Sequence, residues 1–201
     1  MRVAILGGTG KFGRALATRL SAVGDDVVIG SRDADRAREI AEQVGVRGAR
    51  NDGVGEVDLI VLAVEAGAAL ATVGDLKLEA PLLSVAAEVS FEGGLARPGA
   101  EARSIAERVA EMVDVEVAAG LHSLAAMKLA ASPPEQDVFV CGDDEEAKRL
   151  ALELAAKVVA GNAIDAGPLA SARALEAMTA VLLNVNRAYK THAGLRVTGL
   201  P

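Results

Sequence analysis

The chain has 201 residues, 51% of them apolar, with a net charge of −7 and a single cysteine. That length suits one well-buried domain or a domain with a small appendage; no apolar run is long enough to span a bilayer, and the acidic balance argues against general binding to nucleic acid or anionic membranes. The lone Cys141 excludes an intramolecular disulfide and fits a reducing compartment, and a first strand at residue 2 leaves no room for a targeting peptide, so a cytoplasmic protein is expected.

The first predicted strand, 2–6, runs into Gly8-x-Gly10-x-x-Gly13 and an amphipathic helix at 12–23. Strand, spaced glycines and helix together are the context of a dinucleotide fingerprint. Gly8 permits the tight turn, Gly10 lets the backbone approach a pyrophosphate, and Gly13 lets the helix pack on the strand; the helix N-terminus faces the phosphates. The second strand, 26–30, leads into Ser31-Arg32, where an NAD-binding protein usually offers an acid to the ribose 2′-hydroxyl. A hydroxyl and a guanidinium suit a 2′-phosphate instead, so the expected nucleotide is NADP. Asp33 supplies an N-cap signal for the next helix, 33–44.

Further strands at 58–64, 82–86, 114–119, 137–141 and 162–165 alternate with helices near 66–73, 101–112, 144–159 and 168–190. Cores such as Leu59-Ile60-Val61-Leu62 are continuously apolar, as in strands covered on both faces. The pattern predicts an α/β fold: a Rossmann-type, doubly wound, mostly parallel sheet with a small C-terminal α/β extension ending in a long helix. A break near Ala131-Ser132-Pro133-Pro134 divides an NADP-binding core, 1–130, from an extension, 131–201, packed on it as one compact unit. Asp143 with Glu146 reads as a capping box. The final helix carries Leu175, Met178, Val181, Leu182 and Val185 at helical spacing, a face for the body of the protein or a second subunit.

Other chemistries find no support. A phosphate loop needs a glycine where Ile5 stands and Ser or Thr where Phe12 stands. The only tyrosine, Tyr189, lacks a lysine four residues on, and the two histidines, His122 and His192, have no ligand-spaced partners, so no metal is expected. No Gly-x-Ser-x-Gly elbow is present. Asp143 and Asp144 read as helix caps, Lys128 as a solvated lysine and Cys141 as a small packing residue. Lys11 reaches either a phosphate or solvent, and Asn184 either a ligand or a partner subunit. His122 follows a strand at the carboxyl edge of the sheet, where ligands bind, and reads either as a site residue or as a histidine satisfied by local backbone.

Several segments, taken in order, resemble one family. They are Gly7-Gly8-Thr9-Gly10-x-x-Gly13, Ile29-Gly30-Ser31-Arg32, Gly120-Leu121-His122-Ser123, Val140-Cys141-Gly142-Asp143-Asp144, Asp165-Ala166-Gly167-Pro168-Leu169 and Leu183-Asn184. Together they are similar to the F420-dependent NADP oxidoreductases, across nearly the whole chain. The resemblance implies an enzyme that transfers hydride between NADP(H) and the deazaflavin coenzyme F420, with commonly paired subunits, here a homodimer. It implies that Thr9, Ser31 and Arg32 hold the 2′-phosphate side, that the backbone from Gly10 to Phe12, beside Lys11, holds the pyrophosphate, and that His122 lies near the deazaflavin. Ala63, Val64 and Ser84 fall where the two cofactors approach one another. The chain departs from the family pattern at Ala63-Val64-Glu65-Ala66-Gly67, in place of an Ile-Pro-Trp-type segment, and at Ser84-Val85-Ala86-Ala87-Glu88, in place of a proline-rich one. Two alternatives stay open: an NADPH-dependent reductase acting on a flavin, carbonyl or imine, and a non-catalytic NADP-binding protein.

Overall fold

The computed structural model describes residues 1–200. Eight strands form one sheet: β1 (Arg2–Leu6), β2 (Asp26–Ser31), β3 (Arg47–Arg50), β4 (Leu59–Leu62), β5 (Leu82–Ser84), β8 (Val117–Gly120), β9 (Val138–Gly142) and β10 (Ala163–Asp165). Their spatial order is β10-β9-β8-β5-β4-β1-β2-β3. Neighbours are parallel except β8 and β9, which pair antiparallel with Ala119 opposite Cys141. The sheet therefore continues across residue 130. From β1 the chain winds outward through β2 and β3, then returns to place β4 on the other side of β1. That reversal opens a crevice at the carboxyl ends of the strands.

Alternation along each strand divides the core into two layers. Val3, Ile5, Val27, Ile29, Leu59 and Val61 face α1 (Lys11–Ala22), α2 (Ala34–Val44), α5 (Ala126–Ala131) and α6 (Glu145–Val158). Ala4, Leu6, Val28, Ile60 and Leu62 face α3 (Ala66–Val73) and α4 (Ile105–Ala110) on the other side. A strand with both faces covered has no polar side to show, which is why these segments read as unbroken apolar runs.

Four elements escape the sequence reading. β3, with sequence Arg-Gly-Ala-Arg, is an edge strand with both end residues exposed. β6 (Val89–Glu92) and β7 (Leu95–Pro98) form a separate antiparallel hairpin, and α5 is a six-residue helix. The helix expected at 101–112 shortens to α4 because Ser104 caps it in a reciprocal box with Glu107. The capping box expected of Asp143 with Glu146 does not form: the N-cap is Asp144, which accepts from Ala147 N–H, and an alanine at that position cannot reach back, while Asp143 accepts from Leu169 N–H at 2.9 Å.

The long helix α7 (Ala172–Tyr189) fastens the β6–β7 hairpin to the body. Asn184 Oδ1 accepts from Ala96 N–H and its Nδ2 donates to Ala96 O, each at 2.8 Å. The amide thus mimics a neighbouring strand and ties the hairpin to α7. Arg173 donates to Gly99 O at 2.7 Å. Glu176, buried at 2% exposure, accepts from Ile105 and Ala106 N–H and so caps α4 from another helix.

Candidate nucleotide and electron-acceptor site

The turn after β1 is built by glycines because no other residue fits. Gly7 carries the left-handed backbone (φ 82°), and a Cβ there would stand 2.5 Å from Val64 Cγ1 and 2.6 Å from Ala63 O. The turn role expected of Gly8 therefore belongs to Gly7. A Cβ on Gly13 would lie 2.6 Å from Gly8 Cα, so this glycine sets how closely α1 approaches the turn. Gly10 is the N-cap of α1 and makes no side-chain cap. The first-turn N–H groups of Lys11, Phe12 and Gly13 have no partner within the helix and point out of its N-terminus, a ready anion site.

A cavity of about 700 Å³ opens from this turn. It brings together Thr9, Gly10, Lys11 and Phe12 from the loop, Ser31 and Arg32 from the end of β2, and Ala63 and Val64 from the end of β4. Gly8 and Gly13 are not on its wall; they act underneath, through packing. Ser84 is fully enclosed and Val85 lines the wall in its stead. His122 is also off the wall. Lys128 is exposed on α5 and Cys141 is buried, its thiol pushed up to about 12 by desolvation.

The wall also carries residues that the sequence reading did not select: Gly7, Arg36, Asn51, Glu65 and Thr72 among them. Arg36 had a legible signal, one helical turn beyond Arg32 in a helix whose start Asp33 marks. Asn51 and Thr72 had none, since they come from the turn after β3 and from α3. The neighbouring Arg38, Arg47 and Arg50 are each paired with an aspartate, whereas Lys11, Arg32 and Arg36 have no such partner among the described residues. Asp33 Oδ1 accepts from Asp35 and Arg36 N–H. Ser31 Oγ accepts from Asp33 N–H at 3.2 Å, so its own hydrogen is free to point outward. Three unpaired cations and a free hydroxyl in an acidic protein fit a phosphate-bearing nucleotide.

Near the Ala86 backbone, two residues past Ser84, sits the imidazole of His122. Leu121, just before it, holds a left-handed backbone (φ 64°) that turns the chain at the strand end, and Thr179 Oγ1 of α7 donates to His122 O at 3.1 Å. His122 is 9% exposed, and burial pushes its pKa down to about 4, outweighing the Ala86 backbone, which raises it. Neither ring nitrogen reaches hydrogen-bonding geometry with the protein, and the hydroxyls of Ser84 and Ser123 are likewise unpartnered. Orphaned buried polar atoms are rare because each forfeits its hydration, and an unpartnered imidazole at this sheet edge fits a polar-edged ligand. Among the described residues no cluster of metal-ligating side chains occurs.

The family model for coenzyme F420-dependent NADP oxidoreductases matches residues 2–88. The F420-dependent NADP reductase of Methanothermobacter marburgensis is 35% identical, with all of both chains covered. The chain belongs to this family. The F420-dependent NADP reductase of Methanocaldococcus jannaschii is 32% identical over all of this chain and 99% of its own. A solved structure from Arthrobacter sp. FB24, described as an F420-dependent NADP reductase, shares the fold with a TM-score of 0.82 and 23% identity over 98% of each chain. Both the glycine turn and the end of β2 fall inside the stretch that the family model matches.

Proposed function

We propose that this F420-dependent NADP reductase family member transfers hydride between NADP(H) and coenzyme F420, with His122 beside the deazaflavin. The observation that carries the reading is one continuous sheet edge that joins an unpaired cation set at β2 to an unpartnered histidine beyond β8. When bound, the nicotinamide and the deazaflavin supply the hydride donor and acceptor carbons. The protein's part is to hold two flat rings in register, since positioning is most of what such a transfer needs.

Backbone N–H groups at the start of α1 hold the pyrophosphate. Ser31 donates its free hydrogen to the 2′-phosphate, and Arg32 and Arg36 flank it with guanidinium groups that bind phosphate bidentately. Thr9 and Lys11 line the same end. Ala63, Val64 and Val85 wall the ring contact with aliphatic groups and keep water out. His122, neutral at physiological pH, offers one donor and one acceptor nitrogen and donates to the acceptor ring where charge accumulates. The residues after β4 and β5 lack aromatic side chains, and Glu65 stands on the wall. This favours, as a second reading, an acceptor other than F420.

One assay separates the readings: NADPH consumption with oxidised F420, and in parallel with flavin, carbonyl and imine substrates. Turnover with F420 is expected. Turnover with another acceptor alone moves the protein to the second reading, and tight NADPH binding without any turnover makes it a nucleotide-binding protein.

The same reading includes a homodimer in the cytoplasm. Phe91 and Leu95 on the hairpin, and Val181 and Leu183 on the helix beneath it, stay 38–69% exposed, and a second copy would cover them. Among the described residues no helix is long and apolar enough to cross a membrane.

A further inference from the structure

The turn that leaves β8 runs inside the protein. Leu121, His122, Ser123 and Leu124 are each at most 9% exposed. A buried turn has to satisfy its backbone groups from within the protein, because water does not reach them. For the carbonyls of His122 and Ser123 the donors are side chains from beyond residue 130. Thr179 Oγ1 of α7 donates to His122 O, and Gln136 Nε2, just before β9, donates to Ser123 O, each at 3.1 Å.

Gln136 is itself held in place. It is 4% exposed, and the residues after α7 return to cover it. Gly194 packs so closely on this side chain that a Cβ there would overlap Oε1. Beside it, Asp137 donates its N–H to Leu195 O at 2.8 Å and accepts from Val197 N–H at 2.7 Å. The C-terminal extension thus reaches the turn from two sides, through α7 and through the strand-like return at 194–197.

Two features give these anchors a task beyond satisfying carbonyls. The left-handed backbone of Leu121 is one that a non-glycine residue keeps only where its surroundings over-determine it. In addition, neither nitrogen of the His122 ring bonds to the protein. With no hydrogen bond of its own, the ring is placed by the backbone that carries it and by packing.

We propose that Thr179 and Gln136 are positioning residues of the hydride-transfer site, holding the backbone of His122 and Ser123 so that the free imidazole keeps its place at the sheet edge. The proposal rests on the reading of His122 above and gives the C-terminal extension a part in the reaction.

The ring itself reports the outcome. His192 is the one other histidine and is exposed, so proton NMR follows both rings with His192 as the internal reference. Thr179→Val keeps the side chain's shape and removes its donor, Thr179→Ser keeps the donor, and Gln136→Met removes the second anchor. Between about pH 8 and 5.5 an exposed histidine titrates. The His122 signals are expected to stay fixed across that range in the native protein and in Thr179→Ser, and to move in Thr179→Val and Gln136→Met. Turnover with F420 should fall about tenfold in the two donor-less variants with the NADPH dissociation constant unchanged, since small misplacements at a reacting centre are costly. His122 signals that stay fixed in both donor-less variants overturn the proposal. So does native turnover in a variant whose ring has moved, or an equal loss in Thr179→Ser; each leaves the hydride-transfer reading standing. A native protein that reduces no acceptor overturns both.

Discussion

Removing the Arg32 guanidinium deletes a partner that only a 2′-phosphate can use. Arg32→Ala should weaken NADPH by about 10- to 100-fold, the range of a lost charge-assisted contact, with NADH binding almost unchanged. Equal losses for both, in parallel titrations, would remove Arg32 from the phosphate site. His122 acts at the other end. His122→Ala should lower turnover while leaving the NADPH dissociation constant alone, and an unchanged rate would return the ring to a structural role. Its low pKa, a consequence of burial, also has a stability consequence. The unfolded chain takes up the proton near pH 6.5 and the folded chain only near 4, so this group's contribution is whole above about 6.5. As the pH falls through that window, about 3 kcal/mol is lost. The positions of Ser31, Arg32 and His122 at the sheet edge were legible because each adjoins a strand end that its own neighbours in sequence define. Asn51 and Thr72 were not, because only the return of the chain from β3 to β4 and the placing of α3 bring them to the same cavity.

At the scale of elements, α7 is the clamp that joins α4, the hairpin and the His122 loop. Asn184→Leu deletes both bonds to Ala96 and strands its buried N–H and C=O. It should cost about 1–3 kcal/mol in chemical denaturation, and a loss within error would mean the hairpin is held by packing alone. Glu176 contributes with the opposite pH sign to His122. Burial raises its carboxyl from 4.5 to about 7, against the pull of the Ile105 and Ala106 N–H groups and Arg173, with Glu107 adding to the rise. The stability from its bound proton is whole below about 4.5 and falls by about 3 kcal/mol as the pH rises through 7. Between about pH 4.5 and 6.5 the two slopes cancel. Glu176→Gln should therefore expose a profile that rises with pH in that window, and His122→Ala one that falls. Parallel flat profiles for both variants would contradict this account. These couplings join segments far apart in sequence, so no periodicity announces them. The strands β1, β2 and β4 were legible from their unbroken apolar runs. β3, β6 and β7 were not, since edge and hairpin strands bury too little to impose a pattern, and the reversed direction of β9 leaves no trace in its composition.

For the whole molecule, apolar exposure on the hairpin and α7 makes assembly testable. Phe91→Glu with Val181→Glu should convert a dimer to a monomer in light scattering without loss of helix signal, and a native monomer would remove pairing from the proposal. The burial of Cys141 in the second core layer gives the protein a reporter of its own. As the only thiol, it reacts with a chromogenic disulfide reagent solely in molecules that have opened the core. The rate of colour development then counts openings of the native state, with no engineered label. Saturation with NADPH at one hundred times its dissociation constant should slow that clock by about a hundredfold, a direct gauge of how far the nucleotide at one sheet edge holds the far side of the sheet closed.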